Sequence, residues 1–104
     1  MDESKFHLKV ASREGIMYEG DVISITSYNE LGVFDVLSQH ANFISLINKG
    51  LIIRDIENKE KEIKFDNALM KNFENKVEVY VGVEGMSPTK IKQESEQDSS
   101  TKNN

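Results

Sequence analysis

The chain has no cysteine among its 104 residues. That excludes disulfides, thiolate nucleophiles and cysteine-ligated metals. It is also poor in positive charge: 13 Lys and Arg stand against 18 Asp and Glu, for a net charge of -5. An acidic chain without a basic stripe argues against a nucleic-acid partner and against docking on anionic lipid. No apolar run approaches the roughly 20 residues of a membrane span. The opening Met1-Asp2-Glu3-Ser4-Lys5 lacks the basic-then-apolar start of a secretory signal. No direct lipid insertion is expected, and any membrane association has to come through a partner. The six glycines are scattered and none opens a helix, so there is no phosphate-cradling loop. No long segment of helical period exists either.

What the chain does have is period two. Phe6, Leu8 and Val10 alternate with His7 and Lys9, and Val77, Val79, Val81 and Val83 alternate with Glu78, Tyr80 and Gly82. Strict alternation marks half-buried strands. Further β-rich runs lie at 17–18, 22–26, 33–37, 43–47, 51–56 and 63–65, separated by Glu14-Gly15, Glu19-Gly20, Asn29-Glu30-Leu31-Gly32, Asn48-Lys49-Gly50 and Glu57-Asn58-Lys59-Glu60. Short strands punctuated by turn residues predict an all-β fold, a two-sheet sandwich of about ten short strands over residues 1–85. The best helix candidate, 67–73, reads better as an irregular strand. After Met86 the composition shifts. The stretch 86–104 holds little that can be buried and is expected to be a disordered polar tail.

The inventory for chemistry is thin. His7 falls on the polar face of the first strand and reads as a rim histidine. A triad assembled from Ser38, His40 and Asp35 is weak, because neighbours on one strand do not easily converge and no nucleophile elbow is present. Metal ligands at useful spacing are lacking. No catalytic residue, cofactor or metal is therefore expected. The informative oddity is apolar excess. Phe43-Ile44-Ser45-Leu46-Ile47 is apolar on both faces, as is Leu51-Ile52-Ile53. A strand apolar on both sides is buried twice or docks on something, which makes Phe43, Ile44 and Leu46 the candidate docking face.

In order along residues 5–84, the sequence resembles the epsilon subunit of F-type ATP synthases. Phe6-His7-Leu8-Lys9-Val10-Ala11-Ser12 is similar to the family's first strand, Glu30-Leu31-Gly32-Val33-Phe34 to its Glu-Leu-Gly loop, His40-Ala41 with the following apolar strand and Lys49-Gly50 to its His-Ala-Pro segment and next glycine, and Asn75-Lys76-Val77-Glu78-Val79 to its closing strand. Departures are Asp35-Val36-Leu37 as an addition, Ser38-Gln39 for Pro-Gly, Asn42 for the proline, and Asp66-Asn67-Ala68 for Ser-Gly-Gly. The family's C-terminal helical hairpin, which binds ATP in some members, is replaced by the polar tail.

The resemblance implies a non-catalytic subunit of the central rotor stalk, peripheral to the cytoplasmic face of the cell membrane within a hetero-oligomeric complex. One side would pack on the gamma subunit and one end on the ring of c subunits, helping to couple proton flow to ATP synthesis. It also implies that Asn29, Glu30, Leu31, Gly32 and His40 face the c ring and that the docking face meets gamma. The competing readings are a free-standing protein-interaction sandwich and a small enzyme built on Asp35 and His40.

Overall fold

The computed structural model describes residues 4–82, and every regular element in that range is a strand. The strands are β1 (Phe6–Ser12), β2 (Gly15–Asn29), β3 (Gly32–Leu37), β4 (Phe43–Asp55), β5 (Glu60–Ile63), β6 (Asn67–Phe73) and β7 (Lys76–Val81). The order is β3-β2-β1-β7-β6-β4-β5, and β2 also pairs with β4. That extra pairing folds the sheet over on itself. The first part of β2 lies with β1, β7, β6 and the first half of β4 in one layer. The second parts of β2 and β4 pair with each other, flanked by β3 and β5, in the other. All neighbours are antiparallel except β1 and β7, which run parallel from His7 beside Lys76 to Ala11 beside Tyr80.

The predicted all-β sandwich is what forms, with seven strands among the described residues in place of about ten. The difference has a local cause. Glu19-Gly20 and Asn48-Lys49-Gly50 read as turns, yet each lies inside one long strand that serves both layers. At the second site Lys49 and Gly50 both take positive φ, 67° and 92°. The extra residues bulge and re-aim the strand, as bulges at sheet corners do. Glycine is required there, because a Cβ on Gly50 would collide with the Ile63 carbonyl oxygen. The bulge leaves the buried Gly50 carbonyl needing a partner, and buried Ser27 donates its hydroxyl to it at 2.8 Å. The segment 67–73 is a regular strand, with Ala68, Met70 and Asn72 pointing inward.

Between the layers the alternation seen in the sequence becomes a single core. Leu8, Val10, Val22, Ile25, Ile47, Leu51, Ile53, Met70, Val77 and Val79 are fully buried, with Phe34 and Phe43 packed against them. Each such side chain contributes about 1.5–3 kcal/mol of transfer free energy. The tail boundary at 85–86 lies outside the described residues.

Candidate functional site

The outer surface of the first layer divides along its strands. The register sets His7, Lys76 and Phe73 in one row, Lys9, Glu78, Lys71 and Ile44 in the next, and Ala11, Tyr80, Leu69 and Leu46 in a third. On the β1 and β2 side the outward groups are charged and satisfy one another. His7 Nε2 lies 2.9 Å from Glu19 Oε2 and its Nδ1 lies 3.3 Å from Asp21 Oδ1. Lys5 Nζ reaches the other Asp21 oxygen at 3.4 Å. The hydrogen bond to Glu19 raises the His7 pKa against the opposing effect of partial burial, and Asp21 adds to the rise. Asp21 is held below its ordinary value by its bonds to His7 and then Lys5. These groups are partly exposed, and their bonds tie β1 to β2.

On the β4, β6 and β7 side the outward groups are mixed: Ile44, Leu46, Leu69, Phe73 and Tyr80 stand among Lys71, Lys76 and Glu78. Ile44 is 67% exposed and Phe73 52%, with Leu46 and Tyr80 also exposed beside them. Tyr80 Oη donates to Glu78 Oε1 at 2.7 Å, which raises the tyrosine pKa, with partial burial adding to the rise. The register sets Lys71 beside Ile44 and between Leu69 and Phe73, with Lys76 and Glu78 next to it on β7, so charge crosses the apolar patch.

Of the sequence-derived docking residues, Ile44 and Leu46 point outward, while Phe43 turns inward and meets Phe34 edge-to-face, 6.2 Å between ring centroids. Leu69, Phe73 and Tyr80 were not singled out by sequence reasoning. Their signal was available: in β6 the outward positions carry Leu69 and Phe73 while an inward one carries Asn72, an inversion of the usual pattern.

The turn residues Asn29, Glu30, Leu31 and Gly32 join this face. Asn29 Oδ1 accepts the Leu31 N–H at 2.9 Å, closing the turn, and its Nδ2 donates to Ser45 Oγ at 3.3 Å, fixing the turn against β4. A cleft of about 420 Å³ lies between them, lined by Asn29, Glu30, Leu31, Ile44, Leu46 and Asn48 among others. His40 is not brought to this cleft. The strand β3 starts at the turn and ends before His40, so the two sit at its opposite ends, on the order of 20 Å apart along a six-residue strand.

The His40 loop is tied instead to the β6–β7 turn. Asn72 Nδ2 donates to the His40 and Ala41 carbonyls, Asn75 Oδ1 accepts from the Gln39 N–H, and Asn42 Oδ1 accepts from the Glu74 N–H at 2.8 Å. That last bond uses a side-chain acceptor that a proline at position 42 lacks. The His40 ring packs on Phe43 and its Nδ1 lies 3.0 Å from the Ala41 carbonyl, while Asp35 accepts from Thr26 Oγ1 at 2.6 Å. His40 and Asp35 are thus each committed to a structural contact. Among the described residues no cluster of three or more His, Asp or Glu is arranged to hold a metal.

Comparison with known proteins gives this surface a setting. Residues 5–83 match the family model for the β-sandwich domain of the ATP synthase delta/epsilon chain. The ATP synthase epsilon chain of Sulfurimonas denitrificans is 36% identical over 61 residues, covering 59% of this chain and 45% of the relative. The chain spans about half the length of the curated relatives it matches. Among solved structures, a chain in the Euglena gracilis mitochondrial ATP synthase superposes with a TM-score of 0.69 at 15% identity, covering 75% of this chain and 51% of that one. A chain in the central stalk and c-ring structure of the Tetrahymena thermophila mitochondrial enzyme superposes at 0.59 and 12% identity, covering 72% and 61%. At such identities the likeness is one of fold.

Proposed function

We propose, from the premise that this chain belongs to the family of the ATP synthase delta/epsilon β-sandwich domain, that it serves as a non-catalytic rotor subunit of an F-type, proton-translocating ATP synthase. It sits in the central stalk on the cytoplasmic face of the cell membrane, links the gamma subunit to the c ring and takes part in coupling proton flow to ATP synthesis.

The observation that carries this reading is the outward apolar strip. Ile44, Leu46, Phe73 and Tyr80 stand exposed on a well-ordered sheet whose core is already complete without them. A rotor subunit needs a rigid body with one adhesive side, and a closed sheet with apolar side chains on its outer surface supplies both. The docking face for gamma consists of Ile44 and Leu46 with Leu69, Phe73 and Tyr80, while Phe43 supports it from below. The turn Asn29-Glu30-Leu31-Gly32 borders that face and extends it toward the c ring. Glu30, exposed at the tip, is placed to meet basic groups on the ring. His40, at the other end of β3, serves to anchor its loop.

The test is co-purification with gamma. Ile44→Asp and Leu46→Asp each place a charge in the contact without touching the core. Both variants are expected to keep the β-sheet circular dichroism of the parent and to lose gamma. Normal folding with gamma still bound would move the docking face elsewhere.

A further inference from the structure

The sheet order ends on two strands, β3 and β5, each with a single neighbour in that order. A terminal strand presents unpaired N–H and C=O groups, and stable proteins guard such edges with charge, brevity or bulges. The two edges differ sharply. In β5, four residues long, Glu60, Lys61 and Glu62 are exposed charges in succession, and Arg54 from β4 pairs with Glu60. In β3, six residues long, Asp35 is the one charge. Its outward row is Val33, Asp35 and Leu37, with Val33 65% and Leu37 56% exposed, and Leu31 almost fully exposed at the turn beside it.

This bare edge is held in shape. Phe34 and Val36 anchor it to the core, and Thr26 fixes the Asp35 carboxylate through one oxygen. The Asn29 turn holds its start, and the asparagine-tied loop beginning with Gln39 holds its end. A strand held at both ends, with one charge between apolar side chains in its outer row, is a template for another strand of complementary charge.

We propose that the β3 edge is a strand-addition site, taking an extended segment of a partner polypeptide with a lysine or arginine beside Asp35 and apolar side chains beside Val33 and Leu37. The acidic character of the edge, Asp35 in the row and Glu30 at its end, selects the basic residue. A second copy of β3 is a poor occupant. The antiparallel pairing that overlaps the whole outward row, Val33 against Leu37, sets Asp35 directly against Asp35, and like charges so placed repel. The site belongs to the second layer and meets the strip over β4 only at the Asn29-Glu30-Leu31-Gly32 turn, and shifts confined to Gly32–Leu37 distinguish it from the gamma docking face.

The experiment uses the full 104-residue chain, isotopically labelled, in an NMR titration with a seven-residue synthetic peptide in which threonines alternate with valine, lysine and leucine in turn. Saturable shifts and amide protection are expected across Gly32–Leu37. A glutamate-for-lysine peptide is expected to bind about three- to tenfold more weakly. Asp35→Asn, which keeps an acceptor for Thr26, is expected to erase that discrimination with the fold intact, and Asp35→Lys to reverse it. A peptide N-methylated on the amides facing the ladder is expected not to bind. Shifts centred on β5 or on the β4–β6 strip, no saturable binding, equal affinity for the two charge variants, or unimpaired binding of the methylated peptide would each overturn the proposal. So would a concentration-dependent dimer through β3 in sedimentation, which would make a second copy the occupant.

Discussion

Two strips of one surface, a few strands apart, obey the same period of two and end in opposite chemistry. Over β1 and the first part of β2, the outward residues are Lys5, His7, Glu19 and Asp21, and they bond to each other. Over β4, β6 and β7 they are chiefly Ile44, Leu46, Leu69, Phe73 and Tyr80, with Lys71, Lys76 and Glu78 among them, and the described chain places no further layer over them. The lesson is that alternation locates a strand and its inner face but does not say what the outer face is for. That depends on whether the outward groups are satisfied within the chain. The ionic groups are satisfied by one another, whereas the large apolar side chains stand exposed.

The sharpest way to break this contrast is to charge one strip and neutralise the other. Phe73→Asp is expected to lower retention of gamma at least tenfold in co-purification, whereas Lys9→Gln on the ionic strip leaves it unchanged. Equal losses from both would mean that the strips are not functionally distinct. Stability is expected to split the other way within β6. Met70 is fully buried and its neighbour Leu69 looks outward. Met70→Ala is expected to cost about 2–5 kcal/mol in urea unfolding. Leu69→Ala should cost under about 1 kcal/mol, its loss appearing instead in gamma binding.

A smaller effect is expected at the turn. Glu30→Lys should leave the complex assembled, since an exposed pair is worth only about 0–1 kcal/mol, while lowering ATP synthesis per unit proton-motive force in reconstituted vesicles. Unchanged coupling would reduce Glu30 to a solvated loop tip.

The least effect belongs to the ionic strip and depends on pH. His7 has a raised folded pKa, so its contribution to stability is complete below the ordinary imidazole value near 6.5 and fades as pH rises through the raised one. Asp21, with a lowered pKa, contributes above the ordinary carboxylate range and loses that contribution as pH falls through its depressed value. The Tm gap between the parent and His7→Gln should therefore be widest in the mildly acidic range and close at alkaline pH. A gap that widened toward alkaline pH would contradict the bonding seen here.

Much of the fold was legible in the sequence because period two survives locally. The Phe6-Leu8-Val10 and Val77-Val79 rows are buried as the alternation implied. What was not legible was continuity. Glu19-Gly20 and Lys49-Gly50 carry turn composition, and only partners distant in sequence, such as Ile63 and Ser27 around Gly50, decide that the chain bends without stopping. The proposed docking strip was half legible. Ile44 and Leu46 announced themselves by excess, whereas Phe73 and Tyr80 became neighbours of that pair only through the β4–β6–β7 register. His40 illustrates the converse. It lies near the turn in sequence order, yet the length of β3 carries it to the far end.

The parallel pairing of β1 with β7 has a consequence for how the protein is made. The first and last of the described strands are neighbours, and Asn75 bonds the Lys5 carbonyl across 70 residues of chain. Leu8 and Val10 therefore wait, half covered, until Val77 and Val79 have been synthesised. Contacts of such long sequence separation slow folding, because loop closure must precede the reward. During translation β1 can pair with β2 well before its other neighbour, β7, has been made. A nascent chain halted before Lys76 should be protease-sensitive throughout, becoming resistant in one step once β7 is released.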